Sequence, residues 1–165
     1  MSIIIITGTP GSGKTTISKK LATLLEYKYL DVNQLIKKKK LSQGYDRKRK
    51  CQIIDTKLLN KELVSETKKH SNLIIDSHLS HHLPLKHIDL CLITRCNLRL
   101  LKQRLKRRDY SKDKIEENLE VEIMEVIPNE VQQKKYNYFF IDTDKKIDYK
   151  KLIRKIKRTI KVCQQ

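Results

Sequence analysis

With 165 residues, 38% of them hydrophobic, the chain is long enough for one packed core and fits a single domain. Trp is absent, and Gly and Pro number only 4 and 3. No stretch approaches the roughly 18 apolar residues of a membrane span, so low-complexity and helical membrane classes are excluded. The net charge of +18 leaves two readings open: a polyanionic partner such as RNA, a ribosomal particle or a nucleotide, or a solvated Lys-rich surface.

Residues 2–7 form an apolar, β-rich run that predicts a buried parallel strand. No basic region precedes Ile3–Ile6 and no small-residue cleavage site follows, so no signal peptide is expected and the chain reads as cytoplasmic, or nuclear if eukaryotic. Ile17, Leu21, Leu24 and Leu25 recur at helical spacing over 14–26, and a short strand is expected at Tyr27–Asp31. Residues 32–50 are strongly basic and read as a short helix followed by a mobile loop. Ile53, Ile54, Leu58, Leu59, Leu63 and Val64 predict a helix over 52–69. Leu73–Asp76 and Ile88–Thr94 are further strands, and 97–107 a helix. A long helix is expected over 112–135, kinked or ended by Pro128. Tyr138–Ile141 is a last strand, and 148–163 a basic amphipathic helix. The alternation of strands and helices predicts an α/β fold with a parallel sheet. Cys51, Cys91, Cys96 and Cys163 match no zinc spacing and read as free thiols.

Gly8–Thr15 matches GxxxxGK[ST] at every specified position, between a strand and a helix. In such a loop the glycines let backbone N–H groups converge on phosphates at a helix N-terminus. Lys14 then neutralises the β- and γ-phosphates, the Thr15 hydroxyl ligates Mg²⁺, and Thr16 reaches the α-phosphate. The expected ligand is therefore Mg·ATP or another nucleoside triphosphate. Asp76 closes an apolar strand and is placed to hold Mg²⁺ through water, the alternative being a capping carboxylate. His78 is a candidate to position a water or an acceptor, or else a surface histidine. His81 and His82 lie near it without a standard metal-ligand spacing. Arg104, Lys106, Arg107 and Arg108 end a helix before the turn Asp109–Ser111, where an arginine could close over phosphates or simply favour the helix C-terminus.

Several blocks together resemble the adenylate kinase-like NTPases of archaea and the eukaryotic nucleus, whose members include a coilin-interacting nuclear ATPase and a small-ribosomal-subunit assembly factor. The blocks are Thr7–Thr16, Gly44–Asp46, Cys51 with Ile53–Asp55, Ile74–His78, Arg104-Leu105 with Arg108 and Tyr110, and Ile115–Met124. The resemblance implies a P-loop, nucleoside monophosphate kinase-like core with a monophosphate-binding segment at about 31–54 and a short lid at about 107–117. It implies ATP contacts from Gly11, Gly13, Lys14, Thr15, Thr16, Arg108 and Lys145. It makes Asp76 the acid that holds Mg²⁺ with Thr15, and His78 the histidine needed for hydrolysis. The implied activity is phosphoryl transfer from ATP to AMP with broad nucleotide tolerance, accompanied by ATP hydrolysis. Implied partners are a small-subunit ribosomal protein of the platform and, through the basic surface, rRNA during small-subunit maturation. Alternatives are an ATPase switch with little kinase activity and a small-molecule kinase of the same fold, since a DGFPR-like acceptor motif is absent.

The chain departs from the family pattern at Asp109, where Gly is usual, at Ser77, where Tyr is common, and at Gln52, where Pro is frequent. Arg47–Lys50 is basic where acids are common, which turns the expectation for that segment partly from AMP toward RNA.

Overall fold

The computed structural model describes residues 2–47 and 51–163. In chain order they form β1 (Ser2–Thr7), α1 (Lys14–Leu25), β2 (Lys28–Asp31), α2 (Val32–Lys39), β3 (Ser42–Asp46), β4 (Cys51–Ile54) and α3 (Thr56–Lys69). There follow β5 (Asn72–Asp76), two 3₁₀ turns (Ser80–His82 and Leu85–His87), β6 (Leu90–Arg95), α4 (Leu98–Lys106), α5 (Lys112–Ile123), α6 (Val126–Gln133), β7 (Tyr138–Asp142) and α7 (Tyr149–Cys163).

Five strands pair in parallel in the order β2-β5-β1-β6-β7. β1 is central, with Ile4 opposite Ile74 of β5 on one side and Leu90 of β6 on the other. A strand sends successive side chains to opposite faces, and here both faces are covered, so β1 reads as unbroken isoleucine. Ile3 and Ile5 join a core with Val32, Leu35, Leu59, Leu63 and Val131 from α2, α3 and α6. Ile4 and Ile6 join the opposite core with Ile17, Leu21, Ile156 and Ile160 from α1 and α7. Burying each such side chain is worth about 2 kcal/mol, which is why this strand anchors everything at its C-terminal end. A third, smaller cluster of Cys96, Leu101, Leu105 and Ile115 packs α4 against α5.

Helix starts follow their caps. Asp31 accepts from the Asn33 amide at 2.8 Å, Asp55 from the Lys57 amide at 2.8 Å, and Asn97 from the Leu100 amide at 2.9 Å. The Asp55 cap explains one correction to the sequence reading. Helix α3 begins at Thr56, while Ile53 and Ile54 belong to β4, which pairs antiparallel with β3 through Gly44↔Ile53 and Ser42↔Ile54. Part of the expected mobile loop is therefore a hairpin; Lys48–Lys50 lie outside the described residues. The second correction concerns the helix expected over 112–135. It breaks at Met124–Glu125, where Glu125 takes a left-handed φ of 49°. Pro128 neither kinks nor ends a helix: it sits in the first turn of α6, where a missing N–H costs nothing. Cys91 and Cys96 are free and buried. Among the described residues no helix is long and apolar enough to cross a membrane.

Candidate active site

The loop Gly8–Gly13 joins the end of β1 to the start of α1. Gly8 has φ 140°, and a Cβ there would lie 2.4 Å from the Thr94 carbonyl of β6. Gly13 is the N-cap of α1 with φ 99°, and no side chain caps that helix, so its first-turn N–H groups remain for an anion. A Cβ on Gly13 would also press on Thr143 at 3.2 Å. The loop is braced from outside: Ser12 Oγ and Thr94 Oγ1 are 2.7 Å apart, and Thr143 Oγ1 donates to the Ser12 carbonyl at 2.6 Å.

Lys14 lies across the loop, donating from Nζ to the carbonyls of Gly8 at 2.7 Å and Thr9 at 3.0 Å. Burial lowers its pKa to about 8, with Arg108 pushing the same way and Asp76 and Glu122 pulling it back up. Asp76 ends β5, adjacent to β1, and is buried. It accepts from Tyr29 Oη at 3.0 Å, a bond made possible because β2 pairs with β5. Desolvation, and after it that same carboxylate, raises the Tyr29 phenol and keeps it a donor.

His78 stands just beyond β5, within a tight turn in which Ser77 Oγ accepts from the Leu79 amide at 3.0 Å and Ser80 Oγ donates to the Ser77 carbonyl at 2.8 Å. Its side chain reaches solvent in the open cleft, yet surrounding protein disfavours the imidazolium. Desolvation and then the Lys14 charge lower its pKa to about 4, so the ring is neutral at physiological pH. His81 and His82 do not converge with it. His81 is buried between Thr7 Oγ1, 2.9 Å from Nδ1, and Glu130 Oε2, 2.6 Å from Nε2. The ligand atoms of His81, His82 and Glu130 fall within 4.8 Å of one another, but Lys134 Nζ lies 3.2 Å from His82 Nδ1 and already supplies a cation there.

Two cavities meet at the loop. The smaller, about 170 Å³, is lined by Lys14, Thr15, Asp76, His78, Arg108 and Tyr110 among others. The larger, about 630 Å³, is lined by Thr16, Arg104, Arg108, Lys145, Ile147 and Tyr149 among others. Gly11, Gly13 and Arg108 line both. The residues expected to contact ATP or Mg²⁺, together with His78, thus line one cavity or the other, including Lys145, whereas Lys106, His81 and His82 line neither. Asp109 takes φ 59° in the turn after Arg108, the left-handed conformation that a Gly there would adopt freely and that Asp tolerates.

Sequence reasoning missed the supports. Arg104 donates from Nη1 to Thr143 Oγ1 and from Nη2 to the Thr143 carbonyl, both at 2.9 Å, tying α4 to the loop after β7. Thr9 Oγ1 donates to Glu122 Oε2 at 2.5 Å. Arg104 and Glu122 lie inside the resembling blocks, whereas Thr143 and Tyr29 carry no local signal.

A family profile described as an AAA domain matches residues 4–125. The chain is 37% identical over 158 residues to a "Putative adenylate kinase" of Methanocaldococcus jannaschii, covering 96% of this chain and 85% of that protein. It is 35% identical to the adenylate kinase isoenzyme 6 homolog of Dictyostelium discoideum, covering 78% of this chain and 73% of the relative. Among solved structures, a shikimate kinase from Bacteroides thetaiotaomicron superposes with a TM-score of 0.64 over 99% of both chains at 15% identity, a likeness of fold alone. With phosphate loop, parallel sheet and relatives in agreement, the chain belongs to the adenylate kinase-like P-loop family that includes these archaeal proteins and the isoenzyme 6 homologues.

Proposed function

We propose that this protein transfers the γ-phosphoryl group of Mg·ATP to AMP, with broad nucleotide tolerance, and also to water. The observation that carries the reading is the grouping of Lys14, Thr15, Asp76, His78 and Arg108 around one cavity at the N-terminus of an uncapped helix. Phosphoryl transfer asks the protein mainly for positioning and charge neutralisation, and this set supplies both. The larger adjoining cavity, with Ile17, Ile147 and Tyr149 on its lining, suits a nucleoside, and Lys145 and Arg108 on its wall suit the phosphates leading from it.

In this mechanism the loop amides and Lys14 hold the β- and γ-phosphates while Arg108, next to the turn at Asp109, closes over them. The Thr15 hydroxyl and Asp76 carboxylate are hard oxygen donors on the same cavity wall, a donor set that fits Mg²⁺ better than a softer metal. Bound there, Mg²⁺ would offset phosphate charge. His78, neutral at Nδ1 or Nε2, accepts a hydrogen bond from the attacking hydroxyl or water and aims it at the γ-phosphorus. No covalent enzyme intermediate is needed. The segments 31–54 and 107–117 serve as the monophosphate-binding segment and the lid.

The +18 charge supports a second part of the reading. In it the ATPase cycle times association with a small-subunit ribosomal protein and rRNA during small-subunit maturation. RNA affinity would then fall by about one log unit per contacted phosphate per log unit of salt, and a flat salt response would leave only a solvated surface.

The deciding experiment measures ADP formation from Mg·ATP with and without AMP, beside Lys14→Ala. Strong AMP stimulation lost in the variant establishes the kinase. Slow hydrolysis indifferent to AMP establishes the ATPase switch instead, and turnover retained by Lys14→Ala overturns the site.

A further inference from the structure

The phosphate loop and helix α5 are far apart in the chain but joined at one point. Thr9 is the second residue of the loop and is buried; its hydroxyl donates to Glu122 Oε2 at 2.5 Å. On its other side, the Thr9 carbonyl accepts from the Lys14 ammonium at 3.0 Å and from the Ser12 amide at 3.0 Å. Thr9 therefore transmits the position of Glu122 to the lysine that faces the phosphates.

Glu122 occupies the last turn of α5, just before the left-handed Glu125 that starts α6. The opposite end of α5 starts at the Ser111 cap, directly after Arg108, Asp109 and Tyr110. The two ends are about 16 Å apart on a helical rise of about 1.5 Å per residue. Ile115, nearer the Ser111 end, packs on Leu101 and Leu105 of α4, and the Arg108 and Asp109 amides donate to the Leu105 and Lys106 carbonyls at 3.1 and 3.0 Å, so α4, the turn and α5 form one arm that carries Arg108 and is pinned to the loop at Glu122. From this geometry we infer that Glu122 is a positioning residue: through Thr9 it is the pivot that sets α5, and through the packing of α5 on α4 the turn that carries Arg108, in register with the phosphate loop. The inference rests on the phosphoryl-transfer reading above and adds a residue that reading does not use.

The pivot needs an acceptor at Glu122 and a hydroxyl at Thr9. Glu122→Ala and Thr9→Val each remove one partner with little change in bulk on the loop side, whereas Glu122→Gln and Thr9→Ser keep the bond. For Glu122→Ala and Thr9→Val the expected result is a fall in kcat of about tenfold, while the KM for ATP changes far less, because the arm delivers a group used in the transition state. Glu122→Gln and Thr9→Ser should recover most of the turnover. The double variant Thr9→Val/Glu122→Ala should be no slower than either single one, since both break the same bond. Independently of turnover, amide hydrogen exchange over 107–117 should slow when a non-hydrolysable ATP analogue binds to the wild type and to Glu122→Gln, and should not slow in Glu122→Ala.

Additive losses in the double variant, equal losses in Glu122→Gln and Glu122→Ala, or ligand-induced protection that survives Glu122→Ala would each overturn the pivot. A wild type that binds the analogue but turns over neither AMP nor water would overturn the functional reading alone, because the exchange experiment would still report the pivot. Thermal melts of all variants separate these outcomes from misfolding: Thr9→Ser and Thr9→Val share one packing site, so a difference in exchange between two equally stable variants isolates the hydroxyl.

Discussion

The Tyr29 phenol donates to Asp76 Oδ2 at 3.0 Å, so the acid at the end of β5 is oriented by a residue of the edge strand β2. A carboxylate that holds Mg²⁺, directly or through water, depends on such a donor for its rotamer. Tyr29→Phe keeps the ring packed beside the core of Ile17 and Ile74 and removes only the hydroxyl. The expected outcome is a rise of about tenfold in the Mg²⁺ concentration that half-saturates turnover, with little change in melting temperature. A Mg²⁺ titration at fixed ATP checks it, and an unchanged midpoint would separate Tyr29 from the metal.

Lys14, lowered to about 8 by burial, is partly neutral in the free protein at mildly alkaline pH. Phosphates beside it favour the cation and raise its pKa in the complex. ATP binding should therefore take up protons near pH 8, and affinity should fall as pH rises from 7 to 9. Calorimetry in buffers of different ionisation enthalpy reads the proton count directly, and proton release on binding would contradict the assignment.

His78 is held neutral down to about pH 4. The unfolded chain binds its proton near 6.5, so His78 makes the folded state less stable as pH falls from about 6.5 toward 4, and leaves stability untouched above that window. An essential neutral His78 should not impose the usual histidine decline in turnover between pH 7 and 5.5. His78→Ala should keep ATP affinity within about threefold and lose hydrolysis by about a hundredfold or more, the size of a positioned acid–base group. Weakened binding with normal turnover would reduce His78 to a structural residue.

The bidentate tie from Arg104 to Thr143 holds the loop after β7 against Gly13. Arg104→Met should cost about 1–3 kcal/mol of stability and weaken nucleotide binding, because two charged-donor bonds are lost while the stem stays packed. Gly13→Ala should be more damaging to binding, since it meets Thr143 at 3.2 Å and forces a side chain onto a φ of 99°. Chemical unfolding and nucleotide titration of both variants test this. Equal binding in all three proteins would free the large cavity from the nucleotide.

Much of the fold was legible because its signals are local. Ile3–Ile6 marks a strand covered on both faces, and Gly8–Thr15 marks the turn that follows it. The hairpin of β3 and β4 was missed because Ile53 and Ile54 continue the helical spacing of α3, and only the Asp55 cap divides them. The break at Glu125 was missed because a non-glycine residue in the left-handed region carries no compositional mark, while Pro128 drew the expectation toward itself.

By itself, the sequence determined the parallel α/β class and the phosphate loop, and it pointed to Asp76 as a candidate and, through the family resemblance, to His78 and Arg108, since strand ends, glycine spacing and helix termini are set by neighbours along the chain. Only the tertiary structure decided what holds them. Tyr29 reaches Asp76 through the pairing of β2 with β5, Arg104 reaches Thr143 across 39 positions, and Thr9 reaches Glu122 across 113. Such bonds depend on sheet order and helix packing, which bring together side chains whose own neighbours in the sequence say nothing of one another.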